Sequence, residues 1–326
     1  MKKSYALTAA VSAFALSMAG CASAPSSTTS AAPAASGSAA AATGNFKACM
    51  VSDSGGFDDK SFNQTSHDGL NKAVKELGIT PGEVESHDTK DFAKNVQSMI
   101  DAKCNVIVTV GYMLSDATVA AAKANPTINF AIVDDNPKGA AGLKNLKPLV
   151  FNTAQSSFMG GYLAAATSQS GKVGTFGGMK IPTVTIFMDG FAQGVQYFNQ
   201  QKGKNIQVLG WDAAKQDGQF VAKGFEDIAG GKATATNLTS QGADVLFPVA
   251  GPAGQGALQV AQTSGGKVSA IWVDTDGYVS APQYKASILS SVYKGMDVAV
   301  FDTIKAAKDG SFSSDPYVGT LDNKGT

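Results

Sequence analysis

Aspartates and glycines recur directly after short apolar runs. They stand at Ser52-Asp53-Ser54-Gly55-Gly56, Gly111-Tyr112, Asp134-Asp135-Asn136, Gly177-Gly178, Gly251-Pro252-Ala253-Gly254 and Asp274-Thr275-Asp276-Gly277. Aspartate accepts hydrogen bonds from hydroxyls and ring N–H groups. Glycine lets a backbone approach a ligand closely. Together these positions predict the wall of a cleft for a neutral, hydroxyl-rich molecule.

Other chemistries fit the same residues less well. Gly251-Pro252-Ala253-Gly254-Gln255-Gly256 lacks the spacing of a dinucleotide-binding turn and carries proline inside it. Asp274-Thr275-Asp276-Gly277 is followed by Tyr278, Val279 and Ser280, which supply too few oxygens for a calcium loop. Asp58-Asp59 reads as a solvated first turn of a helix, where acids favour the dipole. A hydrolytic carboxylate pair would need a second acid raised in pKa by an apolar pocket, and nothing in the sequence marks one. Two histidines, His67 and His87, leave little room for a His-based triad or a three-histidine zinc site. Three cysteines cannot make a zinc site with four cysteine ligands. A binding protein without metal or cofactor is expected, not an enzyme.

The elements that must position these residues alternate in type. Apolar runs bounded by turn residues occur at 48–51, 106–110, 130–133, 149–151, 173–176, 206–210, 245–249, 269–273 and 288–292. Stretches with helical spacing lie between them, such as Leu70, Val74 and Leu77, or Val96, Met99 and Ile100. Short strands alternating with helices mean βαβ units and parallel sheets. The fold class is α/β. The number of strands over 326 residues fits two doubly wound lobes better than one sheet. In such sheets ligands bind beyond the C-terminal ends of the strands, where the aspartates and glycines stand.

Charge is balanced, with 26 basic and 26 acidic side chains, which argues against a nucleic-acid partner. Every basic residue is lysine. Arginine is the usual fork for carboxylate and phosphate, so a site built for a charged anion is disfavoured. The start reads as an export signal over residues 1–20: Lys2 and Lys3, an apolar run too short to span a bilayer, then Gly20-Cys21. Leu16-Ser17-Met18-Ala19-Gly20-Cys21 resembles a lipobox, which would make Cys21 the lipidated N-terminus. Residues 21–44 are almost wholly Ala, Ser, Thr, Pro and Gly and read as a flexible tether. A tethered lipid anchor places both the domain and its partner at a membrane. Removal of the signal leaves 24 basic against 26 acidic residues. Cys49 and Cys104 fall on or beside strands that could be neighbours, so a disulfide and two buried thiols are both compatible with the pattern.

Asp53-Ser54-Gly55-Gly56-Phe57-Asp58-Asp59-Lys60-Ser61-Phe62-Asn63-Gln64 resembles the opening motif of the basic membrane protein family, bacterial lipoproteins that include the purine nucleoside receptor. The likeness continues through Gly69-Leu70, Gly160-Gly161-Tyr162-Leu163-Ala164, Gly190-Phe191-Ala192-Gln193-Gly194-Val195, residues 241–247 and Ala250-Gly251. It implies a type I periplasmic-binding-protein fold, two lobes joined by three crossing strands. It implies a monomeric nucleoside receptor that serves the permease of an ABC importer. The lobes would be 45–151 with 275–314, and 152–274 with 315–326. By the same resemblance the base stacks between Phe62 and the phenylalanine of an F-x-D-x-x-x-G-K segment, here Phe225 to Lys232, with Phe220 as the alternative register. Gly251, Asp274 and Lys294 match ribose contacts, and Asp53, Asn63 and Asp134 match base contacts. The family pattern continues past the counterpart of residues 321–325, whereas the sequence here stops at Thr326. A receptor of the same fold for a sugar or other polar metabolite, or a surface signalling lipoprotein, is the alternative reading.

Overall fold

The computed structural model describes residues 46–326. The export signal, Cys21 and the tether lie outside the described residues. Each predicted apolar run forms a strand. In chain order the strands are β1 (Lys47–Ser52), β2 (Thr80–Val84), β3 (Val106–Val110), β4 (Asn129–Val133), β5 (Leu146–Phe151), β6 (Lys172–Gly177), β7 (Gln207–Leu209), β8 (Trp211–Asp212), β9 (Asp217–Gly218), β10 (Val245–Val249), β11 (Ser269–Asp274), β12 (Ile288–Tyr293) and β13 (Tyr317–Gly319). The helices are α1 (Phe62–Leu77), α2 (Phe92–Asp101), α3 (Ser115–Ala124), α4 (Ala154–Thr167), α5 (Pro182–Lys202), α6 (Ile228–Ser240), α7 (Gln255–Thr263), α8 (Gly277–Ser280) and α9 (Met296–Lys308).

Two parallel sheets result. Lobe 1 has the order β13-β5-β4-β3-β1-β2 and lobe 2 the order β12-β11-β10-β6-β7, while β8 and β9 form a small antiparallel ribbon. The central strands are buried along their whole length, as sheets covered on both faces require. β10 pairs with β11 only over Val245 and Leu246, two positions before Pro248, which has no N–H to give to the ladder.

Register sets which tips meet. Ser52 lies beside Val110 and Val110 beside Val133, so Asp53, Gly111 and Asp134 leave lobe 1 side by side. In lobe 2, Val249 lies beside Gly177, and Asp274 beside Tyr293, which Lys294 follows.

The lobe boundaries differ from those expected. β12 pairs with β11, so residues 275–293 belong to lobe 2, and β13 pairs with β5, so residues 317–319 belong to lobe 1. The chain crosses after β12, where α9 leaves to pack on α1. Three crossing segments lie together: Asn152 N–H donates to the Gly319 carbonyl (2.8 Å) and Gly295 N–H to the Gly325 carbonyl (3.0 Å).

Two further features are structural. A Cβ at Gly161 would meet the Phe191 carbonyl at 2.0 Å, and one at Gly194 the Phe158 carbonyl at 2.0 Å. These glycines therefore let α4 and α5 touch backbone to backbone. A disulfide joins Cys49 of β1 to Cys104, just before the neighbouring β3, with Cα atoms 6.0 Å apart.

Candidate functional site

A cavity opens between the lobes at the C-terminal ends of both sheets. Its lining includes Asp53, Phe62, Asn63, Asp134, Phe225, Gly251, Asp274 and Lys294, so the structure gathers every ligand-contact candidate among the described residues into one place.

The lobe 1 wall is rich in acceptors. Asp53 Oδ1 accepts from Asn63 Nδ2 (2.7 Å) and from the Gly55 N–H (3.3 Å). Asp59 also lines the cavity and is only 4% exposed. It accepts the N–H groups of Ser61 (2.9 Å), Asn63 (2.8 Å) and Gln64 (3.1 Å), which are orphan donors of the first turn of α1. The expected solvated turn holds for Asp58, which is exposed and pairs with Lys60, but not for Asp59. Asp59 instead turns inward to cap the first turn of α1, and sequence spacing does not separate it from its exposed neighbour. Burial pushes Asp53 up to about 6, against the bonds from Asn63 and Gly55. Burial likewise pushes Asp59 up to about 7, against its backbone donors.

Lys294 stands at the crossing between lobes and is 2% exposed. Its ammonium donates to Asp134 Oδ2 of lobe 1 at 2.8 Å and lies 3.7 Å from Asp274 Oδ1 of lobe 2. It also sits 5.1 Å from the centre of the Phe62 ring and 4.9 Å from that of Phe187. Asp134, matched by resemblance to a base contact, is thus the lysine's ion-pair partner. Asp134, just after β4, and Asp274, the last residue of β11, both have φ of +69°, a left-handed conformation that aspartate tolerates better than most residues. Asp274 Oδ2 accepts from Ser61 Oγ at 2.9 Å, and Trp272 Nε1 donates to the Lys60 carbonyl at 3.2 Å, so the opening motif also docks across the cleft. Burial raises Asp274, with the nearby lysine opposing.

Rings face the cavity from both lobes. Phe62 begins α1, and Phe225 precedes α6 in lobe 2. A Cβ at Gly178 would fall 2.2 Å from the Phe225 ring, so that ring rests on the bare tip of β6, with Gly251 close by. Phe220, the alternative register, bridges to Gly177 and stands edge-on to Trp211, outside the lining. Phe187, Ile181 and Val184 of α5 and its approach also line the cavity. Sequence reasoning missed Phe187 because one phenylalanine on a long helix carries no mark that separates cleft from core. Lys294 is the one cation among the described lining residues, against Asp53, Asp59, Asp134 and Asp274.

Comparison with known proteins gives the family and the fold. Residues 46–318 match the Bmp family, described as PnrA-like ABC transporter substrate-binding protein. "ABC transporter nucleoside-binding protein BmpA" of Lactococcus lactis subsp. cremoris is 31% identical over 323 residues, 93% of this chain and 85% of that one. "Basic membrane protein A1" of Borrelia garinii subsp. bavariensis is 32% identical over 252 residues, 76% of this chain and 68% of that one. Among solved structures, an ABC transporter solute-binding protein from Aeropyrum pernix K1 superposes with a TM-score of 0.75 at 26% identity, covering 86% of this chain and 75% of that one. The fold is that of type I periplasmic solute-binding proteins. The chain belongs to the PnrA-like family of ABC transporter substrate-binding proteins, a family of transport components and not of enzymes.

Proposed function

From that membership we propose that the chain captures nucleosides between its lobes and presents them to the permease of an ABC importer. It would do so as a monomer at the extracytoplasmic face of the cell membrane, anchored through Cys21. One observation carries the reading: a single cavity is faced by Phe62 from lobe 1 and Phe225 from lobe 2, among four carboxylates and one lysine. A base stacked between two rings gains about 1–3 kcal/mol per face. Carboxylates take up the donors of base and ribose, whose burial unpaired would cost about 1–3 kcal/mol per group. Asp274 and Lys294 suit the ribose, the lysine donating while it offsets the carboxylate charge. Closure is a hinge motion about the three crossings, with the base bridging the lobes. A phosphate would face the carboxylates with no arginine to compensate, so nucleosides bind and nucleotides are refused.

The test is the compound released when purified protein is denatured. A mass and an ultraviolet band of a nucleoside are expected. A released hexose or pentose with no base absorbance would instead identify a sugar receptor of the same fold.

A further inference from the structure

We propose that Gly178 is a positioning residue: it is the seat of the Phe225 ring and sets how far that ring reaches into the cavity. The proposal rests on the nucleoside reading above and adds to it a residue that is not itself part of the cavity lining.

β6 ends at Gly177, and Gly178 continues its ladder with β10 by donating an N–H to the Val249 carbonyl (2.9 Å). Side chains at two such consecutive positions would point to opposite faces of the sheet. Each face instead carries a ring. A Cβ at Gly177 would fall 2.6 Å from Cε1 of Phe220, which lies outside the cavity lining. A Cβ at Gly178 would fall well inside contact distance of Cδ1 and Cε1 of Phe225, and 3.1 Å from its Cγ. Those three ring atoms are its nearest neighbours. Gly178 is not among the residues with positive φ, so its backbone suits alanine. The ring is therefore what excludes a side chain there.

The chain that carries the ring is pinned on both sides of it. Gly177 N–H donates to the Gln219 carbonyl (3.0 Å) and Val221 N–H to the Gly177 carbonyl (2.9 Å). Ala253 N–H donates to the carbonyl of Phe225 itself (2.7 Å), and Asp227 Oδ1 accepts the Gly230 N–H (2.9 Å) at the start of α6. Carbon atoms settle about 3.5–4.0 Å apart, so a methyl group at Gly178 would displace the ring by about 1 Å or more. With the backbone held, the ring's open side is the cavity, where the base is to stack.

The test is a double-mutant cycle read by calorimetry with adenosine, guanosine, inosine, cytidine and uridine. Gly178→Ala should weaken the tightest of these by about tenfold or more. The double variant Gly178→Ala with Phe225→Ala should bind as Phe225→Ala alone does, because the methyl group then has no ring to displace. Unchanged affinity in Gly178→Ala, or losses that multiply in the double variant, would overturn the proposal and leave the nucleoside reading intact. Failure of every nucleoside to bind the unaltered protein would overturn both. Melting curves give a readout that needs no ligand. Gly178→Ala should lower the transition of the unaltered protein but not that of Phe225→Ala, in which the methyl group enters space the ring has left. An equal drop in both would show that the strand, not the ring, rejects the side chain, and would overturn the proposal. Should Gly178→Ala fail to fold, a folded double variant sustains the proposal and an unfolded one overturns it.

Discussion

Lobe 1 lines the cavity with three carboxylates, Asp53, Asp59 and Asp134, and with Asn63, beside Phe62, Tyr112 and Met113, whereas lobe 2 lines it mainly with Ile181, Val184, Phe187, Phe225 and Val249 and a single carboxylate, Asp274. The acidic wall would be well solvated if it stood alone. It becomes costly only when the apolar wall closes over it and strips its water. The structure meets that cost in two ways. Asp59 is satisfied by backbone N–H groups, and Asp134 and Asp274 share Lys294 from the crossing. Asp53 Oδ2 is left without a donor among the described residues.

Removing the cation should break this contrast most strongly. Lys294→Met leaves two buried carboxylates unpaired, which costs about 3–5 kcal/mol. A melting temperature lower by roughly 6 °C or more is expected, with nucleoside affinity down by about a hundredfold or more. Unchanged melting and titration curves would show that the lobes do not depend on the lysine.

Reduction of the Cys49–Cys104 disulfide should sharpen the contrast, since it touches lobe 1 alone. It closes a loop of sequence separation 55, for which loop entropy predicts a loss of about 4 kcal/mol in stability. Nucleoside affinity should not change. Trp211 stands on β8 outside the lobe 1 sheet, whereas Trp272 bonds the Lys60 carbonyl of lobe 1, so the fluorescence of a Trp272→Phe variant follows lobe 2. Under reductant, the far-ultraviolet transition should move to lower denaturant before the fluorescence does.

The rings come next. Phe62→Ala in lobe 1 and Phe225→Ala in lobe 2 should each weaken nucleoside binding by about tenfold or more without unfolding the protein. Loss in one variant only would confine stacking to that lobe.

The smallest effect is that of pH on the acidic wall. Burial holds Asp53 near 6 and Asp59 near 7, above their ordinary 3.8, and Asp274 moves the same way. The folded state thus keeps protons that the unfolded chain has already lost, so the ligand-free protein gains stability as pH falls through 7 and 6, and loses it as pH rises through that range. Affinity should run the other way, because protonating Asp53 removes an acceptor; it should fall by up to about tenfold per pH unit below about 6. Melting and calorimetric series between pH 5 and 8 check both signs. Parallel trends would remove Asp53 from the binding surface.

Much of this was legible in the residues. The nine central runs read as strands because buried parallel strands are continuously apolar. β2 escaped because it is an exposed edge carrying Pro81 and Gly82, and β13 because it is three residues long. The lobe boundary was misplaced because β12 follows a short helix, and nothing local says which sheet it will join. The strand-tip aspartates were visible as a pattern. The ion pair of Asp134 with Lys294 was not, since it joins residues 160 apart in the chain, nor was the inward turn of Asp59, since spacing does not separate it from exposed Asp58. Phe225 was readable from its family segment, but Gly178, on which its ring rests, is an ordinary strand-end glycine until the loop before α6 folds over it.

The most direct measurement is a calorimetric titration of ligand-free protein with a nucleoside, its 5′-monophosphate and free ribose. Tight binding of the nucleoside alone is expected. Equal binding of the monophosphate, or binding of ribose with no response to the nucleoside, would contradict a cavity that holds a stacked base among carboxylates outnumbering their one lysine.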